Sequence, residues 1–451
     1  MSGDFSKDFI WGTATASYQI EGAVNEDGRG PSIWDIFSHT PGKTFNGDTG
    51  DIACDHYHRW PQDLNLLKEL GVQAYRFSIA WPRVFPEGTG PLNEKGLDFY
   101  DQLVNALLEA NITPFVTLYH WDLPQALQET GGWANRKTVE AFTTYVEAVA
   151  RRLGDRVKNW ITHNEPWVVA YAGNLQGRHA PGLKNLATAT QVSHNLLLSH
   201  GRSVPILRSL SPGSEVGITL NLYPAYPNSA AADDQLVATR YDGYLNRWFL
   251  DPLYKQSYPE DLWNFYGASA PKVEAGDLAE IATPTDFLGI NYYSPVYTRA
   301  VPLEVSPLGF ALRSREEAQA AGFEVTEMDN VVAPEAFLDL LTRVQRDYNP
   351  TKIYITENGV SFRDELREGK VDDPRRVNYL KVHIEAVKQA IQQGVPIEGY
   401  FEWSLLDNFE WAHGYSKRFG LVYVDYATQQ RIPKSSFYWY KQLIESNRNS
   451  D

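Results

Sequence analysis

The sequence predicts an α/β chain folded as a single (β/α)8 barrel over residues 1–451, a TIM barrel with long insertions in its βα loops. Three observations predict it. Eight short runs rich in β-branched and aromatic residues recur along the chain. Helical patterns with clear stops separate several of them. No linker, charge block or low-complexity segment divides the chain. Strands that alternate with helices pair in parallel through right-handed crossovers. Eight is the number that closes the barrel.

The strand runs lie at 9–12 (FIWG), 74–81 (AYRFSIAW), 112–121 (ITPFVTLYHW), 157–163 (VKNWITH), 216–222 (VGITLNL), 286–293 (DFLGINYY), 352–357 (KIYITE) and 397–405 (IEGYFEWSL). Between them, "DLNLLKELG" carries leucines at 64, 67 and 70, and Gly71 is placed to end that helix. "YDQLVNALLEAN" stops in the same way on Asn111, and "YLKVHIEAVKQAIQQG" on Gly394. A bare barrel takes roughly 250 residues, so about 200 of this chain belong in loops. The Pro/Gly/Asn/Tyr-rich stretches at 27–50, 177–190, 223–235 and 295–335 read as those insertions. An open doubly wound sheet is the alternative, but no glycine-rich phosphate loop follows the first strand.

Composition narrows the function classes. Aromatics make up 13% of the chain, with 13 Trp and 26 Tyr, which suits a site that stacks on ring-shaped ligands. A net charge of −15 argues against nucleic acid or an anionic membrane as partner. The single cysteine, Cys54, allows no internal disulfide and fits a reducing compartment. The opening "MSGDFSKDFIWGTATASYQIEG" has no apolar stretch long enough for a signal peptide or a membrane span. A cytoplasmic, soluble protein is expected, of unknown oligomeric state. "CDHYH" sets Cys54, His56 and His58 at alternate positions, which could suggest a metal site. No matching ligand cluster stands out elsewhere. The segment reads as a loop before a helix over 61–70, and neither metal nor cofactor is expected.

In such a barrel, chemistry sits where the strands deliver their C-terminal residues. Gln19 follows the first strand and Arg76 lies in the second. The third ends at His120-Trp121 and the fourth at Asn164-Glu165. The sixth offers Asn291 and Tyr293, the seventh Glu357, and the eighth Trp403 with Glu410-Trp411 in its loop. Polar and aromatic groups thus ring one mouth, with two carboxylates on strand ends. Asn164 and Glu165 would face opposite sides of a regular strand, so the strand must end or bulge there, which Pro166 favours.

The segments "FIWGTATASYQIEGA", "YRFSIAWPR", "YHWDLPQAL", "THNEPW", "GINYYS", "YITENG" and "FEWSLLDNFEWAHGYSKRFGLVYVD" resemble the family 1 glycoside hydrolases, typified by β-glucosidases. The resemblance runs from residue 8 to about 440. It implies retaining hydrolysis of β-glucosides and cello-oligosaccharides, and of related fucosides and galactosides. By position it makes Glu165 the acid/base and Glu357 the nucleophile. It also implies that Gln19, His120, Asn164, Glu410 and Trp411 hold sugar hydroxyls, with Trp403 as the platform beneath the ring and a cis peptide after it. Trp121 is counted with this sugar-binding set.

Glycosidic cleavage needs one carboxylate to attack the anomeric carbon while a carboxylic acid protonates the leaving oxygen. Arg76 and the Tyr293 hydroxyl are expected to hold Glu357 as the anion. Glu165, facing that anion beside Trp167, is expected to keep its proton. Three other readings compete with this one. A 6-phospho-β-glycosidase needs basic donors where the strand-8 loop reads "NFEWAHGY". A thioglucosidase would lack Glu165. A non-catalytic sugar-binding barrel would need neither glutamate.

Overall fold

The computed structural model describes residues 5–449. Eight strands close a parallel barrel: β1 (Ile10–Ala14), β2 (Ala74–Ser78), β3 (Thr113–Tyr119), β4 (Asn159–Asn164), β5 (Glu215–Asn221), β6 (Phe287–Asn291), β7 (Ile353–Asn358) and β8 (Ile397–Trp403). β1 pairs with both β2 and β8, so the ring has no open edge. Each of the eight runs read from the sequence supplies one strand. No helix among the described residues is long and apolar enough to cross a membrane.

Helix periodicity explains the outer layer. In Lys137–Leu153, Val139, Phe142, Val146, Val149 and Leu153 recur at three- and four-residue steps, and all are buried. Gly71 ends His56–Leu70 in the left-handed conformation, with φ of 78°. That helix begins earlier than expected. Cys54, His56 and His58 do not share a loop, because His56 and His58 lie in its first turn. His56 Nδ1 pairs with Asp63 Oδ2 at 2.8 Å, His58 lies between Asp55 and Glu26, and Cys54 Sγ donates to the Asp407 carbonyl at 3.1 Å.

Inside the ring, the lower half is an apolar plug. Phe115, Ile161, Phe287, Tyr354 and Phe401 fill it, with the Phe115 ring 4.8 Å from Phe401 and 5.2 Å from Tyr354. Full burial of each such side chain contributes about 1.5–3 kcal/mol. Glycines make room for these rings: a Cβ on Gly217 would stand 2.4 Å from the Phe287 ring and 2.6 Å from its carbonyl oxygen. Above the plug the interior turns polar, with Arg76, Asn164, Asn291, Thr356 and Glu357 all buried.

Two buried ionic clusters fix the loops around the mouth. Glu21, just past β1, accepts from Arg83 Nε and from the Tyr100 hydroxyl, each at 2.7 Å. Asp407, just past β8, accepts from Arg418 at 2.6 Å, Lys434 at 2.7 Å and the Gly420 amide at 2.9 Å. The β1 and β8 loops then join, because the Phe409 amide donates to the Gln19 carbonyl at 3.1 Å. The 223–235 and 295–335 insertions meet as a small sheet, in which Val296–Ala300 pairs with Ala225–Pro227 and Phe310–Leu312.

Packing beneath the site is tight enough to test. Gly217→Ala should destabilise the protein by about 1–3 kcal/mol through overpacking, because the clash includes a backbone oxygen. Urea unfolding monitored by tryptophan fluorescence checks this, and an unchanged midpoint would contradict the packing described here.

Candidate active site

The site begins at two irregularities in the ladder. Between β4 and β5 the register shifts between Ile161 and Asn164, and between β7 and β6 it shifts between Ile355 and Glu357. Each shift turns consecutive polar residues toward the mouth that a regular alternation would separate. Glu165 follows with φ of 49°, and its amide donates to the Thr219 carbonyl at 2.9 Å. The bulge expected at Asn164-Glu165 is therefore present.

Arg76 organises what these strand ends deliver. Its Nη1 donates to Glu357 Oε1 at 2.7 Å and to the Thr356 carbonyl at 3.0 Å. Nη2 donates to Asn164 Oδ1 at 2.6 Å, and Nε to Thr117 Oγ1 at 3.2 Å. The Tyr293 hydroxyl donates to the other oxygen of Glu357 at 2.7 Å. Asn291 bridges the two carboxylate-bearing strands. Its Nδ2 donates to Glu165 Oε1 at 2.7 Å and Asn164 Oδ1 at 3.0 Å, while its Oδ1 accepts from Thr356 at 2.7 Å.

These contacts also fix a tautomer. With its oxygen accepting from Arg76 and Asn291, Asn164 must present its amide nitrogen to His120 Nε2, 3.1 Å away. That ring nitrogen therefore accepts, and the proton sits on Nδ1, which has no partner among the described residues. Burial and the Arg76 charge hold the imidazole well below its usual range, so it stays neutral. Gln19 donates through Nε2 to Asn408 Oδ1 and the Phe409 carbonyl, each at 3.0 Å, leaving its Oε1 unmatched. A free donor and a free acceptor at a cleft suit hydroxyl groups, which both give and take hydrogen bonds.

The two glutamates differ in surroundings. Burial, then the charge of Glu357, pushes Glu165 up to about 8, against the opposing influence of Asn291 and Arg76. Burial raises Glu357 as well, but Arg76, Tyr293 and Asn291 all pull it back down. Arg76 touches Glu357 and not Glu165, so the proton the pair shares rests on Glu165. Glu410, half-buried, is pushed up to about 8 by burial and by Glu357, with Gln19 opposing. The Tyr293 hydroxyl is held well above its usual range by burial and Glu357, so it remains a donor.

All of this opens into a cleft of about 560 Å³ lined by Gln19, His120, Trp121, Glu165, Tyr293, Glu357, Trp403, Glu410 and Trp411. Arg76 and Asn164 lie just beneath it. Trp403 stacks beside His120, with centroids 6.0 Å apart and planes 17° from parallel, and its peptide to Ser404 is cis. Trp411 packs on Trp121 at 4.4 Å and on Trp34 at 4.6 Å. Trp121, Glu165 and Trp411 all have positive φ, which costs of order 1–3 kcal/mol each and persists only where neighbours enforce it. Trp121, for example, is pinned by its indole N–H donating to the Asn164 carbonyl at 2.9 Å.

Sequence reading placed Asn291 at a strand end without a role, and its bridging amide needed the register shift to be seen. The outer cleft draws mostly on the insertions expected at 177–190, 223–235 and 295–335, but no sequence pattern showed which of their residues face it. Trp167, Arg178, His179, Tyr223, Tyr241, Phe310, Leu312 and Asn330 line it, and they come from loops whose pairing is non-local.

The model of Glycosyl hydrolase family 1 matches residues 1–449. Beta-glucosidase A of Acetivibrio thermocellus is 50% identical over 446 residues, covering 98% of each chain. A bifunctional beta-D-glucosidase/beta-D-fucosidase of Bifidobacterium breve is 45% identical over 470 aligned positions, again covering 98% of each. The solved family 1 β-glucosidase from Thermotoga maritima in complex with isofagomine lactam superposes with a TM-score of 0.94 at 48% identity, over 99% of this chain and 100% of that one. The chain belongs to glycosyl hydrolase family 1.

Proposed function

We propose that this chain is a β-glucosidase that releases terminal β-D-glucosyl residues with retention, using Glu357 as nucleophile and Glu165 as acid/base. One observation carries the reading: two buried glutamates share a network, and only one of them is ion-paired to Arg76. Glu357 attacks the anomeric carbon as the bond to the leaving oxygen breaks, and Glu165 gives that oxygen its proton. Glu357 is then an ester without charge, so the repulsion that held the proton on Glu165 is gone. Glu165 can now take a proton from the incoming water, which attacks the anomeric carbon and frees Glu357. Two displacements at one carbon restore the β configuration.

The sugar hydroxyls meet Gln19, His120, Asn164, Trp121, Trp411 and Glu410 in this account, with Trp403 beneath the ring. The Asn164 amide, fixed by Arg76, is suited to the 2-hydroxyl, whose hydrogen bonds strengthen in the transition state. Glu410 takes the 4- and 6-hydroxyls. Two acidic groups, Glu410 and Glu357, disfavour a phosphate at that end, so a 6-phosphoglycoside is a poor fit. The substrates proposed are β-glucosides and cello-oligosaccharides, with β-fucosides and β-galactosides as further glycones. A cytoplasmic setting fits the single, buried Cys54.

Stereochemistry separates the two glutamates. Glu165→Ala should still form the glycosyl-enzyme from aryl glucosides with good leaving groups and then stall, and azide should rescue it with a β-glucosyl azide as product. Glu357→Ala should be rescued by direct displacement and yield the α-azide. Exchanged or identical anomers, read by proton NMR, would overturn the assignment.

Activity should also fall as pH rises through the Glu165 value near 8, because the leaving oxygen loses its proton donor. That alkaline limb of kcat/KM should vanish in Glu165→Ala assayed with an activated aryl glucoside and persist in Glu410→Gln. A limb that survives the loss of Glu165 would assign it elsewhere. Glu410→Ala should lower kcat/KM for a glucoside by at least ~1.5 kcal/mol. A fucoside, which has no 6-hydroxyl, should lose less, and equal losses would remove Glu410 from that hydroxyl.

A further inference from the structure

The charges of the cleft stand apart along its length, with the Glu357 anion at one end and Arg178 toward the other. Its inner end holds three carboxyl groups, Glu165, Glu357 and Glu410, and Arg178 is the only lysine or arginine among its lining residues. Arg178 sits on the loop that follows β4, thirteen residues beyond Glu165. The chain between them packs through Trp167, whose ring lies 6.0 Å from the guanidinium carbon. Among the described residues, Arg178 forms no ion pair. Its Nε donates to Gln176 Oε1 at 2.7 Å and its Nη1 to His179 Nε2 at 3.3 Å.

Those two contacts hold the guanidinium without neutralising it. Burial, followed by the Arg178 charge itself, holds His179 well below its usual range, so the imidazole is neutral and accepts. Gln176 is likewise neutral. The Arg178 charge reaches Tyr223 and Tyr241 across the outer cleft, where it opposes the upward push of burial on both hydroxyls. In a protein of net charge −15, with 56 acidic against 41 basic residues, an exposed arginine at a cleft with no carboxylate partner is out of keeping with its surroundings.

Building on the glucosidase reading above, we propose that Arg178 selects substrates whose leaving group carries a carboxylate. The wall that carries Arg178 continues from the proton donor itself, so it borders the leaving group rather than the sugar. A planar guanidinium offers paired N–H donors that match a carboxylate. Tyr223, Tyr241 and Trp167 around it supply flat apolar surface for an aromatic ring. An aryl β-glucoside with a ring carboxylate, of the hydroxybenzoate type, satisfies both features.

The test is a four-way comparison at neutral pH. The β-glucoside of 4-hydroxybenzoate and that of its methyl ester are each assayed with the unaltered enzyme and with Arg178→Gln. The two leaving groups differ in acidity, but that difference cancels when the carboxylate-to-ester ratio of kcat/KM is compared between enzymes. The ratio should fall roughly three- to fivefold in Arg178→Gln, the size expected of a solvent-exposed ion pair. The effect should shrink in high salt, and Arg178→Lys should recover part of it. An unchanged ratio with both substrates turned over would overturn the role of Arg178 alone. Failure of both enzymes to hydrolyse either glucoside would instead reject the glucosidase reading beneath it.

Discussion

A buried guanidinium sets the terms for everything at the mouth of this barrel. Arg76 is 1% exposed, and a charge at that depth persists only where it is paired and fully hydrogen-bonded. Its partners come from three other strands: Glu357 and Thr356 on β7, Asn164 on β4 and Thr117 on β3. Satisfying Arg76 therefore fixes the orientation of the Asn164 amide, which tautomer His120 adopts, and which of two glutamates is the anion. Removing any one partner would leave a desolvated charge, so the network acts as a unit and is suited to hold catalytic geometry.

Local backbone conformation provides the reach that the network requires. Regular strands alternate their side chains, yet Asn164 and Glu165 are neighbours in sequence and both join the polar layer. The register shifts beside β4 and β7, together with the left-handed residue at Glu165, break the alternation where it matters. The same device recurs at Trp121 and Trp411, whose rings pack on each other at the rim. The apolar plug below, built from aromatic rings against glycines, gives these irregular ends a rigid base. Chemistry and stability are thus layered along one axis, with close packing at the bottom and polar constraint at the top.

Much of this was legible in the residues. Eight β-branched runs gave eight strands because strand runs buried on both faces read as continuous apolar segments. The strand-end reading found both glutamates because chemistry in this fold gathers at one end of the ring. Other features needed coordinates. The helix expected over 61–70 begins at His56, with Pro61 inside it. The bridging role of Asn291 depends on a register shift that no local pattern announces. The outer cleft takes Tyr223 and Val296 from segments about seventy residues apart, joined where Ala225–Pro227 pairs with Val296–Ala300, and such non-local pairing leaves no periodic trace. The upward push on Glu410 likewise follows from its burial and then from the charge of Glu357, which composition does not encode.

The central claim is that Arg76 and Tyr293 keep the shared proton on Glu165 for as long as Glu357 is charged. Carbon-13 NMR of the glutamate carboxyls, assigned with Glu165→Gln and Glu357→Gln variants, tests it directly. Glu165 should titrate near 8 in the free enzyme. It should fall toward the ordinary carboxylate range once Glu357 is trapped as an ester by a 2-deoxy-2-fluoroglucosyl reagent, because the opposing charge has been removed. A Glu165 resonance that titrates at the same pH before and after trapping would contradict the account.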